Sequence, residues 1–219
     1  MEILVIGNKN NLNECRQKFG DQHVYRFTRS HSAAEELLNS ETITFDFKIG
    51  GDPDGIGLYK NFDGVVFLDV SKRSLDKLIN TIETNATFFG FCGMPIFLDR
   101  EVLEISLHQK IDLEQLEDVC RNLNTKFAVV TDQVGLITPR VICMIINEAF
   151  FSIQEDIASR GDINLAMKLG TNYPFGPFEW CAKIGAKNVY ELLAAVYEGT
   201  KEERYKVCEL LKEEAEASY

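Results

Sequence analysis

The first 131 residues alternate short apolar runs with amphipathic ones, and no other feature restricts the fold of the chain as much. Runs at 2–7, 23–27, 42–49, 64–70, 87–91, 101–107 and 127–131 predict strands, and residues 12–19, 32–39, 75–84 and 113–123 predict helices between them. Strands such as Glu2-Ile3-Leu4-Val5-Ile6 and Val65-Val66-Phe67-Leu68 are nearly apolar on both faces, which calls for helices on both sides of a sheet. The pattern predicts an α/β domain: a parallel sheet with right-handed crossovers. Residues 50–57, rich in Gly, Asp and Pro, read as a turn, because Asp52 and Asp54 lack the twelfth-position carboxylate of a calcium loop.

From Asp132 onward the apolar period changes to three and four residues, which places a boundary there: 1–131 as the α/β domain and 132–219 as an all-α domain. Thr138 as cap and Pro139 at the first position open a long helix, with Val141, Ile142, Ile145, Ile146, Ala149, Phe150, Ile153 and Ile157 as its apolar stripe. Gly161 should stop it. Asp162 then caps a helix that ends at Gly170, Pro177 starts another, 188–197 form a fourth, and a Thr200-x-x-Glu203 capping box opens a last one over 201–217. Met144, Phe151 and Val141 add apolar surface beyond what a small bundle covers, so a homodimer formed by this domain is expected.

A chain of 219 residues that is 45% apolar can bury a core in each of two such domains. Its net charge of −11 argues against a nucleic-acid surface, and an anionic ligand of the coenzyme A kind would need a local basic patch. The six cysteines form no C-x-x-C pair and sit mostly in apolar stretches, which reads as free thiols in a reducing cytoplasm. Neither the cysteines nor the histidines have metal-ligand spacing. The N-terminus runs directly into a strand and no apolar stretch is long enough to span a bilayer, so a soluble cytoplasmic protein is expected.

Several motifs carry a more specific signal. Asp132-Gln133-Val134-Gly135-Leu136, Asn147-Glu148-Ala149, Gly161-Asp162-Ile163-Asn164 with Ala166-Met167 and Gly170, and Tyr173-Pro174-Phe175-Gly176-Pro177-Phe178-Glu179 follow one another in that order. Together they resemble the C-terminal helical domain of the 3-hydroxyacyl-CoA dehydrogenases, with its D-x-P-G-F, N-E-A, E-D-I-D-x-A-M-x-x-G and Y-P-M-G-P-F-E runs. The resemblance implies a Rossmann-like first domain, shorter here than in the family, and a helical domain like the C-terminal one of 6-phosphogluconate dehydrogenase. It also implies oxidoreduction of an acyl-CoA or related small molecule with NAD or NADP, and a two-fold dimer.

The residues that would carry this chemistry are altered. A dinucleotide loop needs G-x-G-x-x-G after the first strand, and this chain has Gly7-Asn8-Lys9-Asn10-Asn11-Leu12. Lys9 puts a long side chain where pyrophosphate would sit, so weak or absent cofactor binding is expected. The second strand ends in Phe27-Thr28-Arg29-Ser30; Arg29 and Ser30 would suit a 2′-phosphate, the alternative being a solvated arginine. The resemblance implies a His base, an orienting Glu, and a Ser and an Asn on the substrate oxygen. No histidine lies between residues 80 and 107; Phe91-Cys92-Gly93-Met94-Pro95 is the nearest remnant of the family's H-F-F-N-P block. Glu101 or Glu104 corresponds to the Glu, and Pro139, which cannot donate a hydrogen bond, stands at the Asn. Two readings follow: a divergent dehydrogenase, and a non-catalytic homologue serving as a dimeric binding or scaffold module.

Overall fold

The computed structural model describes residues 1–217, which divide into two compact units between Leu136 and Ile137. The first unit holds seven strands, β1 (Glu2–Ile6), β2 (Val24–Thr28), β3 (Ile43–Asp46), β4 (Val65–Asp69), β5 (Thr87–Phe91), β6 (Val102–Leu107) and β7 (Lys126–Val130). They form one sheet in the order β2-β1-β3-β4-β5-β6-β7. The first five run parallel, as expected. An entirely parallel sheet is corrected at β6, which is antiparallel to β5 and carries β7 parallel to itself. The link from Phe91 to Val102 has no helix and is too short for a parallel crossover, so the chain can only turn back.

One face of the sheet is built around phenylalanines. Phe45, Phe67 and Phe89 are register partners on β3, β4 and β5, with centroids 4.6 and 5.1 Å apart. Phe19 from α1 (Lys9–Phe19) lies 5.1 Å from Phe45. Farther along, α4 (Leu113–Asn122) adds Leu116, Val119 and Cys120 to the same core. Aromatic side chains in such a row bury large areas and prefer tilted or offset contacts, which fixes strand register.

The other helices of this unit are shorter than the periodicity predicts. The expected helix over 32–39 is α2 (His31–Ala34), and that over 75–84 is α3 (Leu75–Ile79). Asp132 supplies the missing cap of α3 from beyond β7: its Oδ1 accepts from the Leu75 N–H at 2.8 Å and its Oδ2 from the Asp76 N–H at 2.9 Å. The turn at 50–57 proves to be ordered, with a 3-10 segment over Pro53–Tyr59.

The second unit is all helical: α5 (Thr138–Gln154), α6 (Arg160–Thr171), α7 (Pro177–Ile184), α8 (Ala186–Thr200) and α9 (Glu209–Ala217). The buried stripe of α5 is Pro139, Cys143, Ile146, Asn147, Ala149 and Phe150, rotated from the predicted one. Val141 is 51% exposed and Ile157 lies beyond the helix end. The predicted stripe followed apolar identity and passed over Asn147, whose burial rests on its hydrogen bonds. Ser159 rather than Asp162 caps α6, through the Asp162 N–H at 3.2 Å, so Gly161 lies inside that helix. Nor does the Thr200 capping box form: Thr200 Oγ1 donates back to the Val196 carbonyl at 2.9 Å, and the last helix starts at Glu209. Among the described residues no helix is long and apolar enough to cross a membrane.

Candidate functional site

In an open parallel sheet, ligands bind beyond the carboxyl ends of the strands where the order reverses, here between β1 and β3. The turn after β1 is closed from within. Asn8 caps α1, its Oδ1 accepting from the Asn10 and Asn11 N–H groups at 2.8 and 3.2 Å, while Asn11 Oδ1 accepts from the Asn8 N–H at 2.8 Å. These are amides of the kind that a helix N-terminus offers to a phosphate, and side chains already occupy them. Gly7 is buried beneath them, and a Cβ there would stand 2.6 Å from Asn11 Oδ1 and 3.2 Å from Phe47 Cβ. Lys9 points outward as an exposed first residue of α1. Arg29 is exposed at the end of β2, and Ser30 spends its hydroxyl as the cap of α2, accepting from the Ala33 N–H at 3.3 Å.

Beside this turn lies a cluster that the sequence reading treated as turn residues or passed over. Asp46, at the end of β3, is fully buried. Its Oδ1 accepts from the Lys48 and Ile49 N–H groups at 2.9 and 3.1 Å; its Oδ2 accepts from Tyr59 Oη at 2.9 Å and meets His31 Nε2 at 2.9 Å. The other ring nitrogen, Nδ1, lies 3.2 Å from Asp52 Oδ2. Burial lowers the His31 pKa, but the hydrogen bonds and charges of Asp46 and Asp52 outweigh it and the net shift is upward. Burial and the adjacent Asp46 push the Tyr59 hydroxyl well above its ordinary value. At the end of β4, Asp69 accepts from the Ser71 N–H and Oγ and from the Gly93 N–H at 3.0, 2.9 and 2.8 Å, yet burial still raises its pKa. The available signal was an acidic residue closing each of two apolar strands, in Ile43-Thr44-Phe45-Asp46 and Val65-Val66-Phe67-Leu68-Asp69.

Glu101 and Glu104 sit near the start of β6, which antiparallel pairing brings toward the end of β5 and Cys92. Glu104 lies within β6, and Glu101 immediately precedes it. Glu101 is exposed and paired with Lys126 at 2.7 Å, which holds its carboxyl below the usual range; Glu104 is half-buried. The three histidines contact other groups: His23 lies beside Gln22, His31 sits between two aspartates, and His108 Nδ1 is 2.7 Å from Asp76 Oδ1. Among the described residues no group of three or more His, Cys, Asp or Glu is placed to hold a metal ion.

In the helical unit the motif residues hold the backbone in place. Asn147 donates through Nδ2 to the Lys206 carbonyl and accepts the Cys208 N–H at Oδ1, both at 2.9 Å, which ties the start of α9 to α5. Asn164 Oδ1 accepts from the Phe178 N–H at 3.0 Å and so caps α7 from α6. Glu179 Oε2 accepts from the Gly176 N–H at 2.9 Å, and its Oε1 pairs with Lys168 at 2.6 Å. Arg160 stacks over Phe150 and Phe178, 5.1 and 4.8 Å from their centroids, a cation–π arrangement on a solvent-exposed side chain that also pairs with Glu214.

Comparison with known proteins points the same way. Residues 135–219 match the family described as 3-hydroxyacyl-CoA dehydrogenase, C-terminal domain. A 3-hydroxyadipyl-CoA dehydrogenase of Escherichia coli is 42% identical over 86 residues, 39% of this chain and 18% of that one. A 3-hydroxybutyryl-CoA dehydrogenase of Bradyrhizobium diazoefficiens is 27% identical over 160 residues, 72% of this chain and 55% of that one. The chain thus spans about half or less of the length of these relatives. In structure it is similar to an (S)-3-hydroxybutyryl-CoA dehydrogenase from Ralstonia eutropha, with a TM-score of 0.72 at 17% identity over 100% of this chain and 94% of the other, a likeness of fold. With the motif residues in the places just described, residues 135–219 match the C-terminal domain of the 3-hydroxyacyl-CoA dehydrogenase family, and the chain is similar in fold to its members.

Proposed function

We propose that this chain is a divergent member of the family that has given up the dinucleotide pose at the end of β1, and with it hydride exchange with 3-hydroxyacyl-CoA. The carrying observation is the reciprocal Asn8–Asn11 cap, which uses the helix amides that a pyrophosphate would need. What remains is a binding or scaffold module in a reducing, cytoplasmic setting, which its six buried free thiols suit. Its ligand, if it follows the relatives, is of the acyl-CoA class. Calorimetric titration with NADH tests the reading: no saturable heat at low-micromolar ligand is expected, and a low-micromolar dissociation constant would refute it. One observation favours a second reading, a dehydrogenase that uses NADPH, because exposed Arg29 at the end of β2 stands where a 2′-phosphate would bind. Tight binding of NADPH but not NADH, lost on Arg29→Ala, would select it.

The helical unit is proposed to pair two copies. Leu165 and Leu169 of α6 are 54% and 78% exposed, Val141 on α5 is 51% exposed, and α6 buries none of its residues. Apolar exposure of this kind marks subunit contacts. Light scattering should give twice the 24.8 kDa of one chain. Leu169→Asp, at a site exposed enough to spare the fold, should halve that mass; an unchanged mass in the variant would exclude this face.

A further inference from the structure

The His31 cluster joins three pieces of chain that are far apart in sequence. His31 opens α2, Asp46 ends β3, and Asp52 and Tyr59 belong to the segment that follows β3. The side chain of His31 is only 10% exposed, that of Asp46 is fully buried and that of Asp52 is half exposed. Gly55 lies flat over the imidazole: a Cβ there would come within 2.1 to 2.6 Å of three ring atoms. Gly50, in the same segment, lies against Asp69, where a Cβ would stand 2.8 Å from Oδ2. Residues 48–58 therefore cover the ends of β3 and β4.

Both ring nitrogens face carboxylate oxygens, and only the charged imidazolium can donate to both. The neutral ring keeps one N–H. It should keep the one at Nε2, because Asp46 is buried, closer, and already fixed by two backbone donors and Tyr59. Nδ1 then turns a lone pair toward the Asp52 carboxylate, and the half-exposed Asp52 has water as an alternative partner. The far end of the segment stays anchored through Tyr59 and Asp46.

We infer that His31 is a proton-operated latch that keeps residues 48–58 closed over the ends of β3 and β4 and lets this flap open as the pH rises. The titratable groups that meet the ring are Asp46 from β3 and Asp52 from the segment, with Tyr59 joined through Asp46. The upward shift of the His31 pKa has the sign such a latch needs. Closure is fully supported below the ordinary histidine value and is lost as pH climbs through the raised value.

The test is amide hydrogen exchange on the full chain across neutral and mildly alkaline pH, corrected for intrinsic rates. The reporters are the Gly51 and Asp52 N–H groups, which donate to the Lys48 carbonyl, and the Gly55 N–H, which donates to the Asp52 carbonyl. Their protection should fall, by at most about tenfold per pH unit, as pH rises toward the raised value of His31, while the core amides of β3 hold. Asp52→Asn is the decisive variant, since its amide can accept from the charged ring or donate to the neutral one. In it the pH dependence of flap protection should vanish and the His31 ring resonances should titrate at lower pH than in the parent. Flat protection in the parent, or parent-like pH dependence in Asp52→Asn, would overturn the latch.

Discussion

Purified protein supplied with 3-hydroxybutyryl-CoA and NAD⁺ is expected to produce no NADH above the buffer rate. Loss of a positioned general base alone costs about 10² to 10⁴ in rate, and closure of the cofactor turn compounds it. Of the three histidines, His31 is enclosed by Asp46 and Asp52 and His108 is engaged by Asp76, while His23 sits beside Gln22. Glu101 faces Lys126, and a carboxylate so paired is a poor base. Glu104, half-buried toward the end of β5, is the better placed of the two candidates. Robust turnover that Glu104→Gln abolishes would sink the inactive reading and name the working carboxylate. Turnover that both Glu101→Gln and Glu104→Gln leave intact would sink it as well, and would place the chemistry outside this pair.

The largest expected effect on stability belongs to Gly176→Ala. A Cβ at 176 would lie 2.3 Å from Asn164 Oδ1 and 2.6 Å from the Asn164 backbone Cα. A side-chain oxygen could swing away, but a backbone carbon can move only if α6 moves. The substitution thus adds overpacking, about 1–3 kcal/mol, to loss of the Asn164–Phe178 cap, about 1 kcal/mol. A total of about 2–4 kcal/mol should appear in denaturant unfolding followed in the helical unit through Trp180, which is buried in α7. Gly170→Ala is the control: nothing lies within 4 Å of its added carbon, and alanine should be neutral or stabilising in α6 by about 0.5–1 kcal/mol. Equal losses in the two variants would mean that the tight approach at Gly176 is not what the motif preserves.

The sequence made the sheet legible because its central strands, β1 and β4 above all, are nearly apolar on both faces, a pattern that burial imposes. β6 broke the parallel expectation because direction is set by the length of a connection, and the span from Cys92 to Glu101 carries no periodicity from which to read it. The three- and four-residue apolar period also revealed the helical unit, yet the stripe on α5 was misplaced. Asn147 is polar by identity and buried by virtue of two backbone partners near Cys208, which no local window contains. The candidate site was legible in its losses: Lys9 and Leu12 where glycines belong, and no histidine between 80 and 107. Its gains were hidden, because Asp46, Asp52, Tyr59 and His31 meet only after β2 and β3 have taken places on either side of β1. Asn8 and Asn11 appear in the sequence only as part of the altered loop; their reciprocal bonding needs the side-chain geometry itself.

The reciprocal Asn8–Asn11 cap also bears on how readily the chain could acquire a glycine-rich nucleotide loop. Placing glycine at Lys9 or Leu12 alone would loosen α1, at about 1 kcal/mol for each, while the amides stayed occupied by asparagine. Replacing either asparagine alone would remove a cap and still leave two of the three fingerprint glycines missing. Each single step toward the fingerprint costs stability before any step brings affinity, so its effects are coupled and not additive. The local structure acts as a ratchet: with the cap in place, a route to a dinucleotide loop runs through several simultaneous substitutions.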